Sequence, residues 1–234
     1  MNIGAILFFR MNSKRLPGKS LMKLGTKTLL EIIYSRALLI KGLGDLVVAT
    51  SNEKSDNEIE SKCNEMNIKV FRGSLNNVAR RALDCALEYK MDYFIRICGD
   101  RPFFDYKLAS QQVQICHNNN YDLVTNCFPK TYPSGMDSEI LRTKSLKHNI
   151  INFNGDDHDE HLTKFFYDKH KLFKIYNLAY PKSDNISGEN LSIDTLEDFN
   201  RINYLIKSLK EQQLEQPSLE ETINILQTYK KNIK

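Results

Sequence analysis

Ile3-Gly4-Ala5-Ile6-Leu7-Phe8-Phe9, an unbroken apolar run, passes directly into the cationic stretch Arg10-Met11-Asn12-Ser13-Lys14-Arg15-Leu16-Pro17-Gly18-Lys19. A short apolar run closed by a polar, Gly/Pro-containing turn reads as a strand buried on both faces, the kind that belongs to a parallel sheet. In such sheets ligands bind outside the carboxyl ends of the strands, and the loop falls there. Four of its ten residues carry positive charge and none carries negative charge. Gly18 permits close backbone approach, Ser13 offers a hydroxyl, and backbone amides can join them in an anion nest. The G-x-x-x-x-G-K-[ST] spacing of a P-loop is absent; Gly18-Lys19-Ser20 is only a fragment of it. On its residues alone, the loop is either an anion site or a solvated basic turn.

Outward from this point, strand-like and helix-like runs alternate, the pattern of an α/β fold with a largely parallel sheet. Asp45–Thr50, 68–71, Tyr93–Cys98, Tyr121–Asn126 and the short Leu191-Ser192-Ile193 read as further strands. Capping patterns at Thr28/Glu31, Ser55/Glu58 and Pro217-Ser218-x-x-Glu221, with Thr195 as a further cap, open helices. Leu75, Val78, Ala79, Ala82, Leu83, Ala86 and Leu87 follow helical spacing, with Ser74 as the expected N-cap. A helix is expected over 107–117. Residues 128–180 break the rhythm with Pro129, Pro133 and Gly135. We read 1–234 as a single domain, with 128–180 as an arm that completes an acceptor pocket and a dimer contact.

With 234 residues, 41% hydrophobic and 26% charged, the chain can bury a full core, and a net charge of +4 demands neither nucleic acid nor membrane. Its apolar runs fall far short of the roughly 20 residues that span a bilayer. Met1-Asn2 leads into the first strand without a basic n-region, so no signal peptide is expected. The five scattered cysteines lack any C-x-x-C pair, which fits reduced thiols and a cytoplasmic protein.

Two aspartates follow expected strand ends, Asp100 after Gly99 and Asp194 after Ile193. Both would lie at the sheet edge that faces the loop. Mg²⁺ takes one or two carboxylates with water and substrate phosphates, so the pair suits that ion. Each also has a plainer role, Asp100 in a turn with Pro102 and Asp194 ahead of the Thr195 cap.

Taken in order, the motifs resemble a known family. Arg10-x-x-Ser13-x-Arg15-Leu16-Pro17-Gly18-Lys19, 45–51 (DLVVATS), Phe71-Arg72-Gly73-Ser74, Gly99-Asp100-x-Pro102, Tyr132-Pro133-x-Gly135-x-Asp137-x-Glu139 and Asp194-Thr195-x-Glu197-Asp198 are similar to bacterial cytidylyltransferases. These include the CMP-3-deoxy-manno-octulosonate and CMP-acylneuraminate synthetases, and the resemblance runs nearest to the spore-coat polysaccharide branch. It implies a three-layer α/β sandwich with a Rossmann-like sheet of the nucleotide-diphospho-sugar transferase type. It implies CMP transfer from CTP to a sugar acid or related surface-polysaccharide precursor, with Mg²⁺ and commonly as a homodimer.

Residue by residue, the resemblance puts Arg10, Ser13, Arg15 and Lys19 on CTP phosphates, with Lys19, Arg15 and Asp100 catalytic and Asp100 and Asp194 on the metal. Arg81 matches a base-recognising arginine, although Arg80 and Arg81 are equally ordinary helix charges. Ser51 falls at the same rim. Tyr132, Asp137, Glu139 and His161, the last within Glu160-His161-x-Thr163, would meet the acceptor. Phe8-Phe9 replaces the branch's Gln-Ala, and Arg101 stands where a smaller residue is usual. Arg101 therefore points either to an acidic acceptor, including a phosphorylated or phosphonate one, or to a surface pair with Asp105. A non-catalytic nucleotide-binding subunit is the reading from another class. A transferase of nucleotide-diphosphate sugars would carry a D-x-D pair that Gly99-Asp100-Arg101-Pro102 lacks.

Overall fold

The apolar runs assemble into a seven-stranded sheet in the computed structural model, which describes residues 1–181, 186–211 and 217–232. Strands are β1 (Ile3–Phe8), β2 (Lys23–Leu24), β3 (Lys27–Thr28), β4 (Leu46–Ser51), β5 (Lys69–Gly73), β6 (Tyr93–Cys98), β7 (Leu123–Thr125), β8 (Glu139–Arg142) and β9 (Ile175–Asn177). β2 and β3 form a separate small hairpin, and the main sheet runs β5-β4-β1-β6-β8-β7-β9. Among the described strands of that main sheet, β8 alone runs antiparallel to both its neighbours. The mainly parallel α/β sandwich inferred from the sequence is therefore what the chain forms.

Helices α1 (Leu29–Ala37), α2 (Asn57–Glu65), α3 (Val78–Glu88), α4 (Tyr106–Asn118), α5 (Thr143–Asn149), α6 (Asp156–Glu160), α7 (Lys164–Asp168), α8 (Leu196–Glu211) and α9 (Leu219–Asn232) cover the two faces. Alternation along β1 decides the layers. Ala5, Leu7 and Phe9 enter the core beneath α1, α2, α4, α8 and α9. Ile6 faces the other core with α3, α5 and α7, and Phe8 packs against it. No helix among the described residues is long and apolar enough to cross a membrane.

Three capping boxes hold helix starts where the sequence places them. Glu31 N donates to Thr28 Oγ1 and Thr28 N to Glu31 Oε2. Thr195 with Asp198 and Ser218 with Glu221 repeat the reciprocal pair. Two expected caps are corrected. Ser55 lies in a 3-10 turn (Lys54–Asp56), and α2 begins at Asn57, because the Asp56 carboxylate turns inward to another task. α3 begins at Val78, capped by Asn77, whose Oδ1 accepts from Arg80 N at 2.6 Å. Ser74 supports Asn77 from outside the helix, and Leu75 lies outside it too.

Two further features depart from the sequence reading. Leu191–Ile193 forms no strand; the Leu191 and Ile193 amides go to Ser134 O and Asp100 O, and that of Ser192 to Asn190 Oδ1. Residues 128–180 do more than stand beside the sheet, since they supply β8, paired with β6 and β7, and β9 at the edge. Of the basic tail expected after the last helix, residues 233–234 lie outside the described residues.

Candidate active site

β1 and β6 end in register at Phe8 and Cys98, and β4 runs two residues past its Phe8 partner Ala49 to end at Ser51, along one edge of the sheet. A cleft of about 460 Å³ opens above that edge. The loop after β1 forms one wall and is tied down from several directions. Gly18 N donates to Met11 O at 2.8 Å, closing the loop on itself, and Gly18 takes φ 74°, the left-handed region that glycine adopts without strain. Leu16 plugs into the core. Ser20 Oγ donates to Arg10 O at 2.9 Å.

The firmest anchor is Asp56. Its Oδ1 accepts Met11 N at 2.7 Å, and its Oδ2 accepts Ser51 N at 3.0 Å and the Ser51 hydroxyl. Burial alone would raise this carboxyl, but the Met11 amide and the Ser51 donors outweigh burial and hold it below the usual carboxylate range.

Arg10, Ser13, Lys14, Arg15 and Lys19 all line the cleft. Lys19 Nζ donates to Ile193 O at 2.6 Å and to Asp194 Oδ1 at 3.2 Å, and lies 3.8 Å from Asp100 Oδ2. Arg15 Nη2 reaches Asp194 Oδ1 at 2.9 Å from a largely exposed position. The two aspartates meet because Ile193 N donates to Asp100 O at 2.9 Å, stitching the segment before Asp194 to the end of β6. Asp100 Oδ1 is buried without a hydrogen-bond partner among the described residues. A buried acceptor without a donor is costly in a finished site.

Arg81, Arg96, Cys98, Arg101, Glu160 and His161 also line the cleft. Arg81 is buried; its Nη1 donates to Ser74 O at 2.6 Å and its guanidinium lies 5.7 Å from the Phe8 ring centre. Burial first, and the nearby Arg10 second, lower its pKa to about 10. Gly73 makes room for it, since a Cβ there would come within 2.9 Å of Arg81 Cγ. Arg10 Nη2 donates across the cleft to Glu160 Oε1 at 2.9 Å. Phe9 is buried in the core and also lines the cleft.

Several expected site residues lie elsewhere. Ser51 is fully buried and acts on the loop through Asp56. Tyr132 is buried against Tyr180, in a separate pocket with Phe103 and Met136. Glu139 is buried on β8, paired with Arg96 at 2.7 Å and accepting from Tyr167 at 2.6 Å. Asp137 sits behind Arg101, 3.4 Å from its Nη2 and 2.7 Å from Lys130 Nζ. Arg101 pairs with Asp137 and Asp100, which corrects the surface pair with Asp105. Sequence reasoning missed Asp56, Arg96 and Glu160 as site residues. Arg96 had a signal, a lone cation inside the apolar run Tyr93–Cys98 that must find a partner once buried.

The sequence comparisons agree with this geometry. Residues 5–230 match the family described as Cytidylyltransferase. The spore coat polysaccharide biosynthesis protein SpsF of Bacillus subtilis is 31% identical over 213 residues, 88% of this chain and 87% of that protein. An 8-amino-3,8-dideoxy-manno-octulosonate cytidylyltransferase of Shewanella pealeana is 30% identical over 131 residues, 53% of this chain and 52% of that protein. The structure of a cytidylyltransferase from Leptospira borgpetersenii superposes with a TM-score of 0.85 at 30% identity, covering 99% of this chain and 95% of that one. With its basic loop, its paired aspartates and a match along almost the whole length, the chain belongs to the cytidylyltransferase family and is a nucleotidyltransferase.

Proposed function

We propose that the protein transfers CMP from CTP to a sugar acid used in surface-polysaccharide synthesis, releasing pyrophosphate. The observation that carries this reading is the Lys19 ammonium bracketed by Asp194 and Asp100 in a cleft also lined by Arg10, Arg15 and Arg81. Such a wall neutralises a triphosphate through guanidinium forks and a point charge. The relatives' names, which include a manno-octulosonate cytidylyltransferase and a spore coat polysaccharide protein, support the acceptor class.

In the reaction an acceptor oxygen bonds to the α-phosphorus while the bond from that phosphorus to the β-phosphate oxygen breaks. The acceptor hydroxyl proton goes to solvent or to the site. Lys19, Arg15 and Arg10 hold the charge that moves onto the departing pyrophosphate. Asp56 keeps the loop amide of Met11 in place, so the cations meet the phosphates already positioned.

Mg²⁺ fits the acids present. Asp100, whose Oδ1 is buried without a hydrogen-bond donor among the described residues, and Asp194 stand on two sides of Lys19. That donor set suits a hard cation that completes its shell with phosphate oxygens and water. Asp100 and Asp194 would hold the ion, which supplies Lewis-acid neutralisation of the phosphates. We further read 128–180 as the acceptor-side and dimer-forming region, and the cytoplasm, where CTP is made, as the site of action.

The test is a matrix of the four nucleoside triphosphates against sugar acids and neutral sugars, followed by pyrophosphate release. Release from CTP with a sugar acid, abolished in Asp100→Asn, is the expected result. Release from another triphosphate instead, or wild-type rates in Asp100→Asn, would overturn it.

A further inference from the structure

Arg101 is the cation that the sequence offers for an acidic acceptor, yet its guanidinium is already paired within the protein. Nη1 donates to Asp137 O at 2.8 Å, Nη2 lies 3.4 Å from Asp137 Oδ2, and Nε lies 3.8 Å from Asp100 Oδ1. Asp137 also takes Lys130. Arg101 is therefore fixed between two aspartates, one of them at the catalytic edge.

Arg96 differs. It faces Glu139 directly across the β6–β8 register, with Nη1 to Oε2 at 2.7 Å. Its Nε is buried without a hydrogen-bond partner among the described residues, and the side chain lines the cleft. A guanidinium has five N–H donors in a rigid fork, and Glu139 engages Nη1 alone. Glu139 is itself held by Tyr167, whose hydroxyl donates at 2.6 Å, so Arg96 stands on a rigid support. The neighbouring Cys98 thiol is pushed upward by burial and adds no anion at neutral pH.

Lys19 and Arg15 answer Asp100 and Asp194. On the acceptor side Arg96, Arg101 and Lys130 stand against Asp137 and Glu139. Asp137 answers both Arg101 and Lys130, whereas Arg96 and Glu139 pair one to one, which leaves the Arg96 fork with only its Nη1 engaged.

We propose that Arg96 binds the anionic group of the acceptor, and that Arg101 is a positioning residue for Asp100. The assignment rests on the sugar-acid reading above. It makes an acid the preferred acceptor through a residue buried in the central sheet.

The test uses the full chain, wild type and Arg96→Met, with CTP and each of 3-deoxy-manno-octulosonate, 8-amino-3,8-dideoxy-manno-octulosonate, N-acetylneuraminate and a neutral hexose. Pyrophosphate release gives the acceptor KM, and calorimetry gives the CTP Kd. For the acid that turns over, R96M should raise the acceptor KM roughly 10- to 100-fold, the loss of a charged hydrogen bond. The CTP Kd should hold within about twofold, and the methyl ester of the same acid should show one KM with both proteins. Arg96→Lys should recover part of the loss. If R96M does not fold, R96M/E139Q removes both buried charges together and takes its place. An unchanged acceptor KM, or an ester that discriminates as strongly as the acid, overturns the assignment. Turnover of neutral sugars only would overturn it while leaving CMP transfer standing. Silence of every acceptor with CTP would remove the proposed function and this assignment with it.

Discussion

Lys19 Nζ sits 3.2 Å from Asp194 Oδ1, and the same ammonium lies within 3.8 Å of Asp100. The lysine thus holds together two carboxylates that would repel each other. Lys19→Ala should have two opposite effects. The kcat/KM for CTP should fall by roughly 100-fold or more, the scale of losing a charge-stabilising group in a protected site. Mn²⁺ binding to the nucleotide-free protein, read by electron paramagnetic resonance, should tighten, because the ion no longer competes with a fixed ammonium. Unchanged kcat/KM would remove Lys19 from the site.

Asp56 supports the loop from behind, through Met11 and Ser51. Asp56→Asn replaces a charged acceptor of three donors and should cost about 3 kcal/mol of stability by urea denaturation. It should also raise the KM for CTP, since the Met11 amide is no longer fixed. The folded carboxyl lies below its ordinary value near 4, so its contribution is complete above that value and is lost as pH falls through the lower folded pKa. Wild type should therefore lose stability in that acid range more steeply than D56N. Parallel acid curves for the two proteins would contradict the assignment.

The sheet and the loop are legible in the sequence because each rests on a local pattern. Tyr93–Cys98 is an apolar run whose ends coincide with β6, and Thr28/Glu31 forms the box that its spacing predicts. The misreadings have physical causes. Ser55/Glu58 has the spacing of a box, but Asp56 between them is recruited by a loop 45 residues away, and the helix starts later. Leu191–Ile193 has no partner strand, the Leu191 and Ile193 amides being taken by Ser134 and Asp100. In 132–139, spacing cannot say which side chains point inward; Tyr132 and Glu139 turn into buried positions while the acidic motif around them looks like a binding surface. Arg96 depends on β8 inserting beside β6, a long-range pairing that no local pattern encodes.

Arg10 and Glu160 form an ion pair across the cleft at 2.9 Å, with each side chain 37% exposed. Pairs this exposed contribute at most about 1 kcal/mol, so a triphosphate can take Arg10 from Glu160 at little cost. Glu160→Gln should leave the melting temperature nearly unchanged and lower the KM for CTP about two- to fivefold. Arg10→Ala should raise that KM about tenfold or more, as loss of a charged hydrogen bond to phosphate requires. If E160Q instead raised the CTP KM, Glu160 would be helping the nucleotide rather than competing with it.

Gly99 joins β6 to Asp100, and its N–H donates to Phe8 O at 2.9 Å. A Cβ at this position would lie 2.5 Å from Phe9 Cδ1 and 2.6 Å from Phe8 O. The Phe9 ring is buried and the Phe8 oxygen belongs to the sheet, so neither can yield freely. Gly99→Ala must push the end of β6 away from β1 and carry Asp100 with it. Overpacking of this kind costs about 1–3 kcal/mol, and a displaced Asp100 should lower kcat by about tenfold or more even in the folded protein. Phe9→Leu in the G99A background relieves the ring contact but not the contact with Phe8 O. It should therefore recover stability in part, with less recovery of kcat. Thermal melts and kcat for the single and double variants check both steps, and full activity in G99A would show that Asp100 tolerates the shift and is not held to a catalytic position.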